Sequence, residues 1–463
     1  MRLGAGHTEN VQLVSNALRV SESFDVIERH LTVADRDTCF FFIDGFTKDG
    51  EMQKIMTHIL AMRTVGTADE VMRRLPYVEV ELTGDLDRIV CAVLSGQTAI
   101  VGEGFGDEAV LVDARTYPAR STSEPDSDRV MQGAHDGFVE TLVMNTALIR
   151  RRIRDPRLTM THFDLGGSTR TDVVMCYMNG VADAKTVAQL EKKLTSLKPD
   201  SLTLGYQSLT ESLIRRGWWN PFPKVRLTER PDTAASQLLE GSILIICDTT
   251  PQVMIIPTSI FDYLQQTDDF YFPPLTGSYL RIVRTLILLL SVVATPLWYL
   301  CVMNAARLPE WLAFLVPSDP GALPIIAQLL LVELAIDGLK IASMNTPDML
   351  ANSLSVVGAL LLGDFAVEVG WLCGDVILYT AFVAIASFAQ QNAELGYAFK
   401  FVRVAMLLFV FAFGVWGILL GFILFAVLVV TNTTVTGGNR YLYPLLPFNA
   451  SAMKRLLLRV KKG

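Results

Sequence analysis

Residues 37–59, DTCFFFIDGFTKDGEMQKIMTHI, and residues 171–193, TDVVMCYMNGVADAKTVAQLEKK, share one form. Each opens on polar residues, runs through a short unbroken apolar stretch and turns at Asp44-Gly45 or Asn179-Gly180. Apolar residues at three- and four-residue spacing follow the turn. This is the pattern of a buried strand turning into a helix, with Gly45 and Gly180 supplying backbone freedom. A second shared feature lies downstream. SGQTAIV (95–101) leads through a glycine-rich turn to AVLV (109–112), and GSILII (241–246) leads through DTTP to VMII (253–256). Both predict hairpins of two apolar strands. Two similar α/β subdomains are therefore expected, over residues 23–118 and 159–265, each a mixed sheet with helices packed on it. Residues 1–22 form an N-terminal tail ahead of them. The run Gly102-Glu103-Gly104-Phe105-Gly106 has phosphate-loop glycines, but it lies between two strands and reads as a hairpin turn.

Between the copies, residues 119–158 form a linker. It begins with a polar hinge, STSEPDSD, and continues into a helix with Phe138, Leu142, Thr146, Ile149 and Ile153 on one side and Pro156 closing it. Arg150, Arg151, Arg152 and Arg154 make a dense basic cluster at its end. Two readings stand: a solvated helix end favoured by the helix dipole, or a contact with acidic residues of a neighbouring subunit or with anionic lipid heads.

After a juxtamembrane segment, 266–280, the composition changes. Residues 281–432 carry long apolar runs and are expected to form an α-helical polytopic membrane domain of about four spans, followed by a basic cytoplasmic tail, 433–463. Residues 282–303 suit one span, and Arg281 and Arg284 at its start place that end on the cytoplasmic side. Proline and tryptophan mark 307–323 as an outer loop. The runs 325–341 and 350–370 are interrupted by acids, 375–388 is short, and 402–430 reads as one long span with a kink at Gly414, Gly417 or Gly421. Lys454, Arg455, Arg459, Lys461 and Lys462 put the C-terminus inside as well, which requires an even number of crossings.

The acids in these runs are Glu333, Asp337, Asp364 and Glu368. A charge at membrane depth costs roughly 2.5–3.5 kcal/mol on insertion scales, so such residues are paired or functional. Each pair is four apart and lies on one helix face. Lys340, with Asn345 and Asn352, offers Glu333 and Asp337 an internal salt-bridge set. The alternative is a ring of carboxylates lining a cation path in an oligomer, for which Asp364 and Glu368 are the stronger candidates because no base lies close to them in sequence.

Composition agrees with a mixed soluble and membrane protein: 51% hydrophobic residues and a mean hydropathy of +0.37. A net charge of -7 gives no basic face for nucleic acid. The cysteines are scattered with no CxxC pair and read as buried reduced thiols. The N-terminus has no signal-peptide core, so the α/β half is expected to stay on the cytoplasmic side. His7, His30, His58, His135 and His162 have no metal spacing, and no nucleophile sits in a triad context; neither an enzyme, a cofactor nor a metal is expected.

Several motifs together resemble those of the spore germinant receptor A-subunit family, GerA type. They are Glu124-Pro125, QGAHDGFVE (132–140), Asn145, ALIRRRIRDP (147–156), Thr228-Glu229-Arg230-Pro231-Asp232 and YPLLPF (443–448). The resemblance covers nearly the whole chain, and ELAIDGLKIASMNTP (333–347) is similar to its sporulation-protein branch. It implies a multi-pass protein of the spore inner membrane that triggers or amplifies germination, assembles as a homo-oligomeric ring passing monovalent cations, and works with a B-subunit-like or small membrane partner in the lipid bilayer. Glu229 and Arg230 in the second motif join the arginine cluster as assembly candidates. Where receptors commonly carry Arg-Gly-Pro-Arg this chain has Gln132-Gly133-Ala134-His135, and it lacks a long hydrophilic N-terminal extension; both favour the sporulation branch. The competing function is a non-conducting scaffold that clusters other germination proteins through the 150–154 arginines.

Overall fold

The structure is a computed structural model. It describes the chain except residues 48, 65, 116–132, 215–216, 218, 267, 346–357, 359–365, 391, 438, 451–452 and 455–463. Two compact units emerge, one of residues 1–215, 225–258 and 434–437, the other of residues 216–224, 259–433 and 438–463.

The first unit holds two five-stranded sheets of the same topology. In one, β1 (Val26–Val33), β2 (Arg36–Ile43), β3 (Val80–Thr83), β4 (Thr98–Gly102) and β5 (Ala109–Val112) stand in the order β1-β2-β4-β5-β3. In the other, β6 (Leu158–Leu165), β7 (Thr171–Met178), β8 (Arg226–Thr228), β9 (Ile243–Cys247) and β10 (Val253–Ile256) stand as β6-β7-β9-β10-β8. Every pairing is antiparallel, which corrects the expectation of mixed sheets. The unbroken apolar runs arise because helices cover both faces. On one face, α1 (His7–Leu18) and α4 (Leu86–Leu94) bring Val14, Leu18, Ile89 and Val93 to Phe41 and Val101. On the other, α2 (Asp49–Leu60) and α3 (Ala68–Arg74) bring Ile55, Ile59 and Val71 to Phe40, Ile100 and Val110. In the second copy, α5 (Leu142–Arg152) and α8 (Pro231–Leu239) cover one face, and α6 (Ala184–Ser196) and α7 (Tyr206–Leu213) cover the other. The turn glycines repeat with the fold: Gly45 and Gly180 both have φ 78°, and Gly96 and Gly241 have φ 98° and 96°. At Gly45 a Cβ would also lie 2.9 Å from Val143.

The duplication extends to a polar pair on the outer hairpin of each sheet. His30 Nδ1 donates to Asp37 Oδ2 at 3.0 Å, and the equivalent His162 Nε2 donates to Asp172 Oδ1 at 2.8 Å. His30 is held above its ordinary pKa of 6.5, chiefly by its bond to Glu28, with burial opposing and Asp37 adding. Burial works to raise Asp37, but bonds from His7 and His30 outweigh it and hold it below 3.8. The sign follows from linkage. The His30 contribution to stability is complete below pH 6.5 and is lost as pH rises through its raised value. The Asp37 contribution is present above pH 3.8 and is lost as pH falls through its lowered value. Thermal unfolding of the full chain between about pH 4 and 9 is expected to fall less steeply above neutrality in His30→Asn than in the wild type. Parallel profiles would remove His30 as a contributor.

In the second unit, α9 (Asp268–Tyr271) precedes α10 (Pro274–Met303), so the helix starts within the stretch read as juxtamembrane. Then come α11 (Ile325–Asn345), the single turn α12 (Ala366–Glu368), α13 (Gly374–Phe388), α14 (Ala393–Phe413) and α15 (Val415–Thr431). Among the described residues, α10 and α14 are long and apolar enough to cross a membrane, and α13 and α15 are shorter apolar helices. The run expected to be one kinked span is instead a helical hairpin. The chain reverses at Gly414, φ 57° and ψ -128°, and α15 packs back along α14. Phe399 and Phe425 stack across it with ring centres 5.9 Å apart.

Gly417 lies against the Phe409 backbone so closely that a Cβ there would collide. A helical Gly→Ala change ordinarily stabilises by roughly 0.5–1 kcal/mol. Gly338→Ala, whose Cβ would meet nothing within 4 Å, should follow that rule, whereas Gly417→Ala should destabilise. Thermal unfolding in detergent that ranks both variants above wild type would contradict the hairpin.

Candidate functional site

Inside the second unit, α11 carries Glu333 and Asp337 one turn apart, and α14 turns Lys400 and Arg403 toward them. The Arg403 fork grips Glu333, with Nε donating to Oε1 at 2.9 Å and Nη2 to Oε2 at 3.0 Å. Its Nη1 donates to the Ser291 carbonyl at 3.2 Å, which ties α10 into the same cluster. Lys400 Nζ lies 3.2 Å from Glu333 Oε2, donates to the Glu333 carbonyl at 3.1 Å and also pairs with Asp337. The side chains of Glu333 and Arg403 are only 10% and 6% exposed, while that of Asp337 is 31% exposed. Together with Lys340, Thr380, Ser387 and Gln390 they line a cavity of about 130 Å³.

The arrangement holds two carboxylates against three cations when Lys340 is counted, so in this state it has no excess negative charge to draw cations. Its chemistry is that of a closed charge network. Each ion is stable in an apolar unit only while its partner is in place, so any movement of α11 against α14 is coupled to breaking the pairs.

The sequence expected Lys340 to answer Asp337. Lys400 and Arg403 pair with the two acids, and Lys340 Nζ lies 4.7 Å from the centre of the Tyr397 ring. Asn345 bonds to the Ile341 carbonyl of its own helix, and Asn352 lies outside the described residues. Lys400 and Arg403 were not singled out in the sequence, although two bases three apart inside an apolar helical run carry the same signal as the acids. Asp364 lies outside the described residues, and Glu368 is exposed at the end of α12. Arg281 and Arg284, read as flanking charges, both clasp the buried Asp269, with Arg284 donating at 3.0 and 3.1 Å.

In the first unit the assembly candidates divide. Arg150 is fully buried: Nε and Nη2 donate to Asp25 at 2.8 and 3.0 Å, and further bonds reach Ser23 and the Asp155 and Leu158 carbonyls. It joins the start of the first copy to the start of the second. Arg152 pairs with Asp136, while Arg151 and Arg154 are exposed. Arg230 is also fully buried, bonded to Asp232 and to the Ala134 carbonyl, and Glu229 accepts from Gln252. Arg150 and Arg230 are thus both bonded inside the unit.

The family model described as the Bacillus/Clostridium GerA spore germination protein matches residues 14–462. The chain belongs to that family. The GerA resemblance carried by the motifs at 132–156 and 228–232 thus holds along the chain. Among its relatives, stage V sporulation protein AF of Bacillus subtilis is 35% identical over 468 residues, covering 100% of this chain and 94% of that protein. Spore germination protein KA of the same organism is 28% identical, covering 95% of this GerA-family chain and 82% of the relative. A crystal structure of the N-terminal domain of the A subunit of the Bacillus megaterium spore germinant receptor GerK3 aligns with a TM-score of 0.41 at 24% identity. That alignment covers 55% of this chain and 96% of the domain.

Proposed function

We propose that this chain is a germination membrane protein of the germinant-receptor A-subunit type, multi-pass in the spore inner membrane. As a homo-oligomer beside a B-subunit-like or small membrane partner, it gates the release of monovalent cations. The observation that carries the reading is the Glu333–Arg403–Lys400–Asp337 network between helices of the apolar unit, with its Glu333–Arg403 pair buried. Charges at that depth in a GerA-family chain are unfavourable unless they do something, and a paired set that must separate when helices shift is a gate element. In this reading the network is the lock, and Asp364 and Glu368 line the path that it opens.

Spores carrying Asp364→Ala with Glu368→Ala test the path. Cation release on germination should slow at least about tenfold, a barrier change of about 1.4 kcal/mol, at unchanged protein level. Release at the wild-type rate would remove both acids from the path. The scaffold reading retains one supporting observation, the exposure of Arg151 and Arg154. It requires that changing those two to Ser detaches partners; partners that still co-purify while ion release is lost would remove it.

A further inference from the structure

Outside the membrane unit, one cluster brings together metal-ligating side chains that sequence spacing kept apart. Strand β1 places Glu28 and His30 on the face covered by α1, and pairing sets Cys39 of β2 directly opposite His30. Ligand atoms of Glu28, His30 and Cys39 all lie within 4.8 Å of one another. Around them stands a supporting shell. Asp37 accepts from His30 Nδ1 at 3.0 Å and from His7 Nε2 at 3.0 Å. Ser15 Oγ donates to Glu28 Oε2 at 2.6 Å, and Glu103 accepts from the Asp37 backbone N–H at 3.3 Å.

We propose that Glu28, His30 and Cys39 form a three-ligand site for a borderline divalent cation of the zinc class, with water as the fourth ligand. A carboxylate oxygen, an imidazole nitrogen and a thiolate are a donor set that zinc takes, and three protein ligands leave an open position. The His30–Asp37 bond is the orienting contact such sites use. A carboxylate holding Nδ1–H leaves Nε2 as the ligating nitrogen, and Nε2 already points to Glu28 Oε1 at 3.0 Å. Binding would replace the Nε2 proton of His30 and the thiol proton of Cys39, releasing both to solvent. The carboxylate and thiolate then balance the two positive charges of the ion.

The duplication supplies an internal control. The second copy keeps the His162–Asp172 pair, but Met160 stands at the position of Glu28 and Val174 stands opposite His162 where the first copy has Cys39. The histidine–aspartate bond is thus common framework. The two further ligands belong to the first copy alone, so the site is an addition to the repeat and not a by-product of it.

Cobalt titration of the full-length chain, purified in detergent without an affinity tag, tests the site. The expected result is about one tightly bound Co²⁺ per chain with a thiolate-to-cobalt charge-transfer band. That band should be absent in Cys39→Ser and His30→Asn and unchanged in His162→Asn. Asp37→Asn should weaken binding by about 10–100-fold. Binding without the band, the band surviving in Cys39→Ser, or its loss in His162→Asn would overturn the proposal. X-ray absorption of the zinc-loaded wild type needs no variant. One sulfur in the coordination shell is expected, and a shell of only nitrogen and oxygen would also overturn it.

Discussion

Glu333→Gln is expected to destabilise the protein by about 3–5 kcal/mol, because it leaves the Arg403 guanidinium buried without its counter-charge. Arg403→Gln should cost a similar amount for the reciprocal reason, since Glu333 would keep only Lys400. The double variant should recover much of the loss. With both charges gone no uncompensated ion remains, and a buried pair as a whole adds little net stability once its desolvation is counted. Thermal unfolding of the four proteins in one detergent completes the cycle. Additive losses in the double variant would mean that the two side chains are not coupled, which the 2.9 and 3.0 Å fork geometry forbids.

Arg150→Ala is expected to cost about 3–5 kcal/mol as well, now in the α/β unit. Its guanidinium satisfies the buried Asp25 carboxylate through two bonds and also reaches Ser23 and the Leu158 carbonyl. Removing it strands a carboxylate inside the unit. Arg150→Lys keeps the charge but not the planar fork, so an intermediate loss should result. Limited proteolysis of the full chain, together with its melting temperature, measures the effect. If Arg150→Ala resists protease as the wild type does, the bridge between the copies does not hold the unit together.

The duplication was legible because local chemistry writes it twice. An apolar run followed by a glycine at positive φ reads the same at Gly45 and at Gly180, and the hairpins at 98–112 and 243–256 follow from short apolar strands around turns. Strand direction was not legible. A strand covered by helices on both faces shows a continuous apolar run whether its neighbour is parallel or antiparallel, and β2 and β4 are covered in this way. What decides direction is the placement of β3 at the far edge beyond β5, a tertiary fact.

The site followed the same division. Helical spacing put Glu333 and Asp337 on one face, but their partners lie on a helix more than sixty residues away, and nothing local links them. The nearby Lys340 was the only cation that sequence distance could offer. Gly414 was visible as a break, yet whether a glycine kinks a helix or reverses the chain depends on the close packing that Gly417 and Gly421 permit against α14. Arg150 was read as part of a surface cluster because four neighbouring arginines look solvated; only the fold brings Asp25 beneath one of them.

Cation release from spores that carry the charge-swapped pair, Glu333→Arg with Arg403→Glu, is the most direct test of the gate. Each single change should open the lock and raise unstimulated cation release by at least about tenfold. The swapped pair should bring release back toward the wild-type rate, because the ion pair between α11 and α14 is rebuilt with its polarity reversed. Singles that release cations at the wild-type rate, or a swapped pair as leaky as the singles at normal protein level, would contradict a gate built on this network.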